Sequence, residues 1–213
     1  MIKTYLATRP EHDDTTYYLS KWCERTLSMA EDRGFKAVDL HRDKATRKEF
    51  ENRINKLSPE LIVLNGHGDK GKVTGHKNEP LVVEGENEGL LRDKIVYAIS
   101  CSSAKSLGIK SVQNGALSYT GYSDDFIFVY EPVSSTKPLS DETAKIFLEH
   151  SNIFIESILK GNTINESKHR AEIKLRENLL KLLAGSQSDI NLIRFLWWDM
   201  KHFVSHGNLQ ATL

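Results

Sequence analysis

The stretch Leu61-Ile62-Val63-Leu64-Asn65-Gly66-His67-Gly68 decides how this chain is read, together with Ile95-Val96-Tyr97-Ala98-Ile99-Ser100-Cys101. Each is a short apolar run, rich in branched residues, that stops at a reactive side chain. Runs of this kind, bounded by turn residues, mark strands buried on both faces of a parallel sheet. In open α/β sheets the ligand site lies beyond the carboxyl ends of the strands, where His67 and Cys101 would both stand. The two are therefore read as a catalytic pair.

Toward the amino terminus, Ile2 to Thr8 reads as a first strand closed by Pro10. Asp14 to about Arg33 follows as a helix, with Tyr18, Trp22, Leu27 and Met29 near helical spacing and Gly34 as its stop. Phe35 to Leu40 is a second strand, and Asp43 to Leu57 a charged surface helix with Phe50, Ile54 and Leu57 on one face. Pro59 ends that helix, and Glu60 to Asn65 is the third strand. Strand, helix, strand, helix, strand predicts a layered α/β domain with right-handed crossovers.

Toward the carboxyl terminus, Lys72 to His76 and Pro80 to Glu84 are expected to form a small hairpin over the sheet edge. Asn87 to Leu91 is a helical turn, Ile95 opens the fourth strand, and Gly115 to Tyr122 is the fifth. Ser102 to Lys105 can open a helix directly behind Cys101, whose dipole would favour a thiolate. The last third is predicted helical: a helix capped by Ser140 and running to about Lys160, one opened by the Thr163-Ile164-Asn165-Glu166 capping box and running to about Leu183, and one from Ser188 to about Asp199. The tail from Lys201 to Asn208 is read as an edge strand. Residues 1–213 are expected to form a single domain.

Lys plus Arg and Asp plus Glu balance at 29 each among 213 residues, which leaves no charge footprint for nucleic acid or a membrane surface. Cys23 and Cys101 are the only cysteines and are far apart, against a disulfide framework, and a cytoplasmic setting is expected. No signal peptide or membrane span is visible.

Peptide hydrolysis needs a nucleophile, a proton carrier and donors for an oxyanion. A thiolate attacks carbonyls well and an imidazole can protonate a leaving amine near neutral pH. The Gly68 and Cys101 N–H groups are candidates for the oxyanion hole. The competing reading takes Cys101 as a small core residue and His67 as a cap.

Leu61 to Gly68 followed by Ala98-Ile99-Ser100-Cys101-Ser102-Ser103-Ala104 resembles the caspase-like cysteine peptidases, in which one strand ends in His-Gly and the next long strand in the nucleophilic Cys. Ala116 to Tyr122, Phe154 to Glu166, and Trp198 through Asn208 resemble the CHAT-domain and gingipain branch. The caspase signature Gln-Ala-Cys-Arg-Gly is absent, so cleavage after aspartate is not inferred, and Asn208 stands where the family has an acid. The resemblance implies a three-layer sandwich with a mostly parallel central sheet flanked by helices. It implies a cysteine endopeptidase using a His67/Cys101 dyad, with Gly68 and Cys101 as oxyanion donors and no third carboxylate in view. Substrate would add its backbone beside the fifth strand. Asp124 and Asp125 are the candidate substrate-binding residues, where a buried acid would select Arg or Lys; the competing reading is an exposed loop.

The expected partners are a protein or peptide substrate and a regulatory protein, with no nucleic acid and no membrane. No cofactor is expected, and no metal, because His67, His76 and Cys101 lack a fourth ligand and tight spacing. A catalytically silent interaction module is the rival reading. A flavodoxin-like nucleotide domain is disfavoured by Thr8-Arg9-Pro10 standing where a phosphate-cradling glycine loop would be.

Overall fold

A computed structural model of the chain describes residues 2–185 and 190–213. In chain order its elements are β1 (Thr4–Arg9), α1 (Asp14–Asp32), β2 (Lys36–His41), α2 (Arg47–Leu57), β3 (Leu61–Asn65), the short β4 (Gly68–Asp69), β5 (Lys72–Thr74) and β6 (Pro80–Val83), β7 (Ile95–Ile99), α3 (Leu107–Gln113), β8 (Ser118–Tyr122), α4 (Glu142–Leu159), α5 (Ile164–Ala184), α6 (Ile190–His202) and β9 (Phe203–Gly207). The main sheet has the order β2-β1-β3-β7-β8-β9. Its pairs are parallel except β8 with β9.

The central strands are buried on both faces, and alternate residues feed two different cores. Leu61 and Val63 of β3 pack with Tyr18, Leu19 and Trp22 of α1 and Phe154 and Ile155 of α4. Ile62 and Leu64 pack instead with Phe50 and Ile54 of α2 and Leu107 of α3. Helices thus cover both faces, and the α/β three-layer sandwich with a mostly parallel sheet is the observed architecture. The last three helices add their own small core, centred on Phe147, Leu175 and Leu196. Among the described residues, no helix is long and apolar enough to cross a membrane.

Three local expectations change. The helix behind Cys101 does not start at Ser102: residues 101–106 form turns and α3 begins only at Leu107. Tertiary hydrogen bonds hold these turns open, with Ser102 N–H donating to Asp124 O at 2.9 Å and Ala104 N–H to Tyr122 O at 3.0 Å. The cap of α4 is Asp141 rather than Ser140, because its carboxylate takes the Ala144 N–H at 2.9 Å, the Tyr18 hydroxyl at 2.7 Å and the Glu131 N–H at 2.9 Å. The edge of β8 is closed over Ser118–Tyr122, where β9 pairs with it, so a substrate cannot add its backbone there. The tail is a strand because β8 offers an unfilled edge and Phe203 buries its ring against Tyr97, Tyr122 and Phe154. The expected start of the last helix at Ser188 lies outside the described residues.

Candidate active site

The ladder between β3 and β7 aligns Asn65 with Ile99. Two residues further along each chain stand His67 and Cys101, so parallel register brings the two strand ends side by side. The Gly66 N–H still reaches Ile99 O at 3.4 Å. A Cβ on Gly66 would lie 2.1 Å from Thr74 O, and one on Gly68 would lie 2.7 Å from Lys72 O and 2.9 Å from Ser100 Oγ. Only glycine on either side of His67 lets the hairpin and the Ser100–Cys101 turn close this far.

The hairpin also sets the direction of the Gly68 N–H. Thr74 N–H donates to His67 O at 2.9 Å, which makes Gly68 and Val73 a non-hydrogen-bonded antiparallel pair. The Gly68 N–H therefore points away from β5. Among the described residues no backbone carbonyl takes the Cys101 N–H. Both expected oxyanion donors are thus free of the ladders around them.

His67 has a partner that sequence reasoning missed. Its Nε2 donates to Asp13 Oδ2 at 2.7 Å. Asp13 is the N-cap of α1, with Oδ1 accepting the Thr16 N–H at 2.8 Å and Thr16 Oγ1 accepting the Asp13 N–H at 3.2 Å. One carboxylate oxygen caps the helix and the other holds the imidazole. Partial burial pushes the Asp13 carboxyl up, but the hydrogen bonds from Thr16 and His67 outweigh it and hold it below the usual carboxylate range. The adjoining Glu11 anchors this loop, its carboxylate taking His41 Nε2 at 2.8 Å, Arg42 Nε at 2.7 Å and Ser20 Oγ at 2.8 Å.

With Nε2 committed to Asp13, Nδ1 is the nitrogen of His67 left to meet a thiol. The imidazole itself is partly exposed.

Cys101 is partly buried, with Sγ 3.7 Å from Phe126 O. Burial pushes its thiol up; the contact with Phe126 opposes this, and Asp125, Asp199 and Asp124 add to the rise. The expected helix-dipole stabilisation of a thiolate is therefore corrected: no helix starts at Cys101, and the charges nearest it are negative. The resting group is a thiol.

Asp124 and Asp125 lie on the loop that closes over the Cys101 turn. Asp124 O takes the Ser102 N–H, and Asp125 Oδ1 accepts from Ser102 Oγ at 3.1 Å. Asp124 is half-buried and Asp125 exposed. The loop is held from behind by Trp198, whose Nε1 donates to Asp125 O at 3.0 Å, and by Asp199, whose Oδ1 accepts the Ile127 N–H at 3.0 Å. Asp199 is fully buried, and among the described residues its Oδ2 has no hydrogen-bond partner. Burial drives its carboxyl well above the usual range, with the Ile127 N–H pulling the other way. Its only signal in the sequence is its place beside Trp198 in the closing motif. Asp13 gives a signal for a cap, Asp-x-x-Thr, but none for contact with a histidine 54 positions away.

His67, Gly68, Cys101, Asp124 and Asp125 thus gather around the carboxyl ends of β3, β7 and β8, with Asp13 added from the amino end of α1 and Asp199 from α6. No protein-family model matches the chain, and no curated protein matches it at a significant level.

Proposed function

We propose that this chain is a caspase-like cysteine endopeptidase acting through Cys101 and His67. The observation that carries the reading is the β3/β7 register, which sets the two strand ends side by side with Asp13 already holding His67 Nε2. As a substrate carbonyl settles against Sγ, His67 Nδ1 takes the thiol proton and sulfur bonds to carbon. The oxyanion is received by the Gly68 and Cys101 N–H groups. Collapse breaks the C–N bond, the imidazolium gives its proton to the leaving amine, and water then hydrolyses the thioester with His67 again as base. Asp13 stabilises the imidazolium between these steps.

The acids near Cys101 favour a substrate with Arg or Lys on the acyl side. A cation bound at Asp124 and Asp125 would remove the repulsion that disfavours a thiolate, so the correct substrate would itself help to activate the nucleophile. A protein or peptide substrate in the cytoplasm, and control by a partner protein, belong to the same proposal.

The raised Cys101 thiol favours the rival, a catalytically silent interaction module. Mass-spectrometric profiling of a peptide library under reducing conditions, wild type against Cys101→Ala, separates them. Cleavage after basic residues that vanishes in the variant is expected. Absence of any Cys101-dependent cleavage would leave the silent module as the reading.

A further inference from the structure

His67 shares its Asp13 partner with a second histidine. His12 Nε2 lies 3.5 Å from the same Asp13 Oδ2, and one ligand atom from each of His12, Asp13 and His67 lies within 4.8 Å of the other two. The His12 and His67 rings meet edge to face with centroids 6.0 Å apart. Asn78 Oδ1 approaches His12 Nε2 at 3.3 Å. Two imidazoles and a carboxylate therefore converge at the rim of the site, with an amide oxygen beside one of the imidazoles.

We propose that His12, Asp13 and His67 form a binding site for a divalent transition metal, with zinc the best chemical fit, and that the metal switches the site off. Two imidazole nitrogens and one carboxylate oxygen are a common three-ligand zinc set, with a fourth position left for water or for Asn78. Metal bonds of about 2.0–2.2 Å in a tetrahedron put ligand atoms roughly 3.3–3.5 Å apart. The His12 to Asp13 separation already matches. The His67 to Asp13 separation, 2.7 Å, opens by under about 1 Å once the hydrogen between them has moved.

The three ligands sit on a framework that is held before any metal arrives. Asp13 is fixed by its cap on α1, and the neighbouring Glu11 is pinned by His41 and Arg42. His12 is mostly buried, and its ring is backed by His76, centroids 5.8 Å apart. Imidazole donors select zinc, copper or nickel over calcium and magnesium, which prefer an all-oxygen shell. The set differs from His67, His76 and Cys101, and it needs no sulfur.

Binding alters the chemistry of His67 directly. A metal on Nε2 leaves the ring hydrogen on Nδ1, so the nitrogen that would receive the thiol proton can no longer accept one. Asp13, drawn to the metal, no longer stabilises an imidazolium. The binding stands on the geometry alone; the switching-off rests on the peptidase reading above.

Titration of the purified, reduced full chain with ZnCl2 by calorimetry, and with CoCl2 by visible absorption, tests the site without any need for peptidase activity. One equivalent of Zn2+ is expected, displaced by no excess of Ca2+ or Mg2+, with an intense tetrahedral Co2+ spectrum lacking sulfur charge transfer. His12→Gln and His67→Gln should each weaken binding about tenfold or more. Cys101→Ser should bind as the wild type does, and circular dichroism shows whether each variant is folded. Absence of one-equivalent binding in the folded wild type would overturn the site, as would binding indifferent to His12 and His67 or lost with Cys101. Should zinc bind as expected and yet leave Cys101-dependent cleavage unchanged, the switching-off is overturned while the site stands.

Discussion

Asp13 Oδ2 accepts a hydrogen bond from His67 Nε2 at 2.7 Å, joining the first turn of α1 to the end of β3. This one contact gives the histidine a fixed tautomer and a fixed face. The carboxylate also caps the helix through its other oxygen, so the two roles can be separated by substitution.

Asp13→Asn retains a good N-cap, and its thermal stability should stay near the wild-type value, whereas Asp13→Ala should lose about 1 kcal/mol. Under the proposed mechanism Asn cannot stabilise the imidazolium, and kcat/KM should fall roughly tenfold to a hundredfold with little change in KM. Steady-state kinetics on the best peptide from the library read this. Unchanged turnover in Asp13→Asn would reduce Asp13 to a cap.

Cys101 should react with iodoacetamide slowly at neutral pH. Burial raises its thiol, with Asp125, Asp199 and Asp124 adding to the rise against Phe126, so the alkylation rate should keep climbing as pH passes the ordinary thiol value of 9.0. Asp125→Asn, at an exposed position, should speed labelling severalfold. Cys23, 2% exposed on the buried face of α1, should stay unlabelled while the protein is folded. Mass spectrometry of the labelled peptides gives both rates; a Cys101 rate already flat below pH 7 would mean a preformed thiolate.

Asp199→Asn should stabilise the fold at neutral pH. The folded carboxyl is raised above its ordinary 3.8 by burial, so below that pH both folded and unfolded forms hold the proton and nothing is lost. As pH rises, the unfolded chain ionises first and stability drains away toward the folded value. Asn keeps an acceptor for the Ile127 N–H and has no charge to bury. Melting curves at about pH 7 should therefore show the variant above the wild type, and at about pH 3.5 the difference should close. A variant less stable than wild type at both would mean that the carboxyl is paired in the fold.

His150 gives the opposite dependence. It is buried beneath β8, accepts the Tyr122 hydroxyl at 2.6 Å through Nε2, and burial pulls it down to about 4 from an ordinary 6.5. The unfolded chain binds the extra proton first as pH falls, so stability is intact above about 6.5 and is lost through about 4, a total near 3 kcal/mol. An NMR titration of this imidazole should find it neutral at pH 5. A midpoint near 6.5 would show that the core admits its charge.

Local signals carried the architecture a long way. The apolar runs at Leu61 and Ile95, the helix stop at Gly34, and the Thr163 capping box each act over a few residues, so they could be read before folding. The two strand ends bearing His67 and Cys101 were legible for the same reason: in a parallel sheet successive strands finish on one side, whatever the rest of the chain does. The glycines around His67 were visible as small residues, but the backbone atoms they make room for, Thr74 O and Lys72 O, belong to a hairpin whose register no short-range pattern sets.

What the sequence by itself determined, then, is the α/β layering and the candidate pair at its strand ends. Tertiary structure alone decided the surroundings of that pair: Asp13 brought to His67, three acids in place of a helix dipole beside Cys101, and β9 laid along β8 where a substrate strand was expected. The reason is one of distance. Caps, turns and strand periodicity depend on neighbours a few bonds away, whereas a hydrogen bond spanning 54 residues and a carboxyl whose pKa burial raises depend on how the layers pack, which only the folded chain specifies.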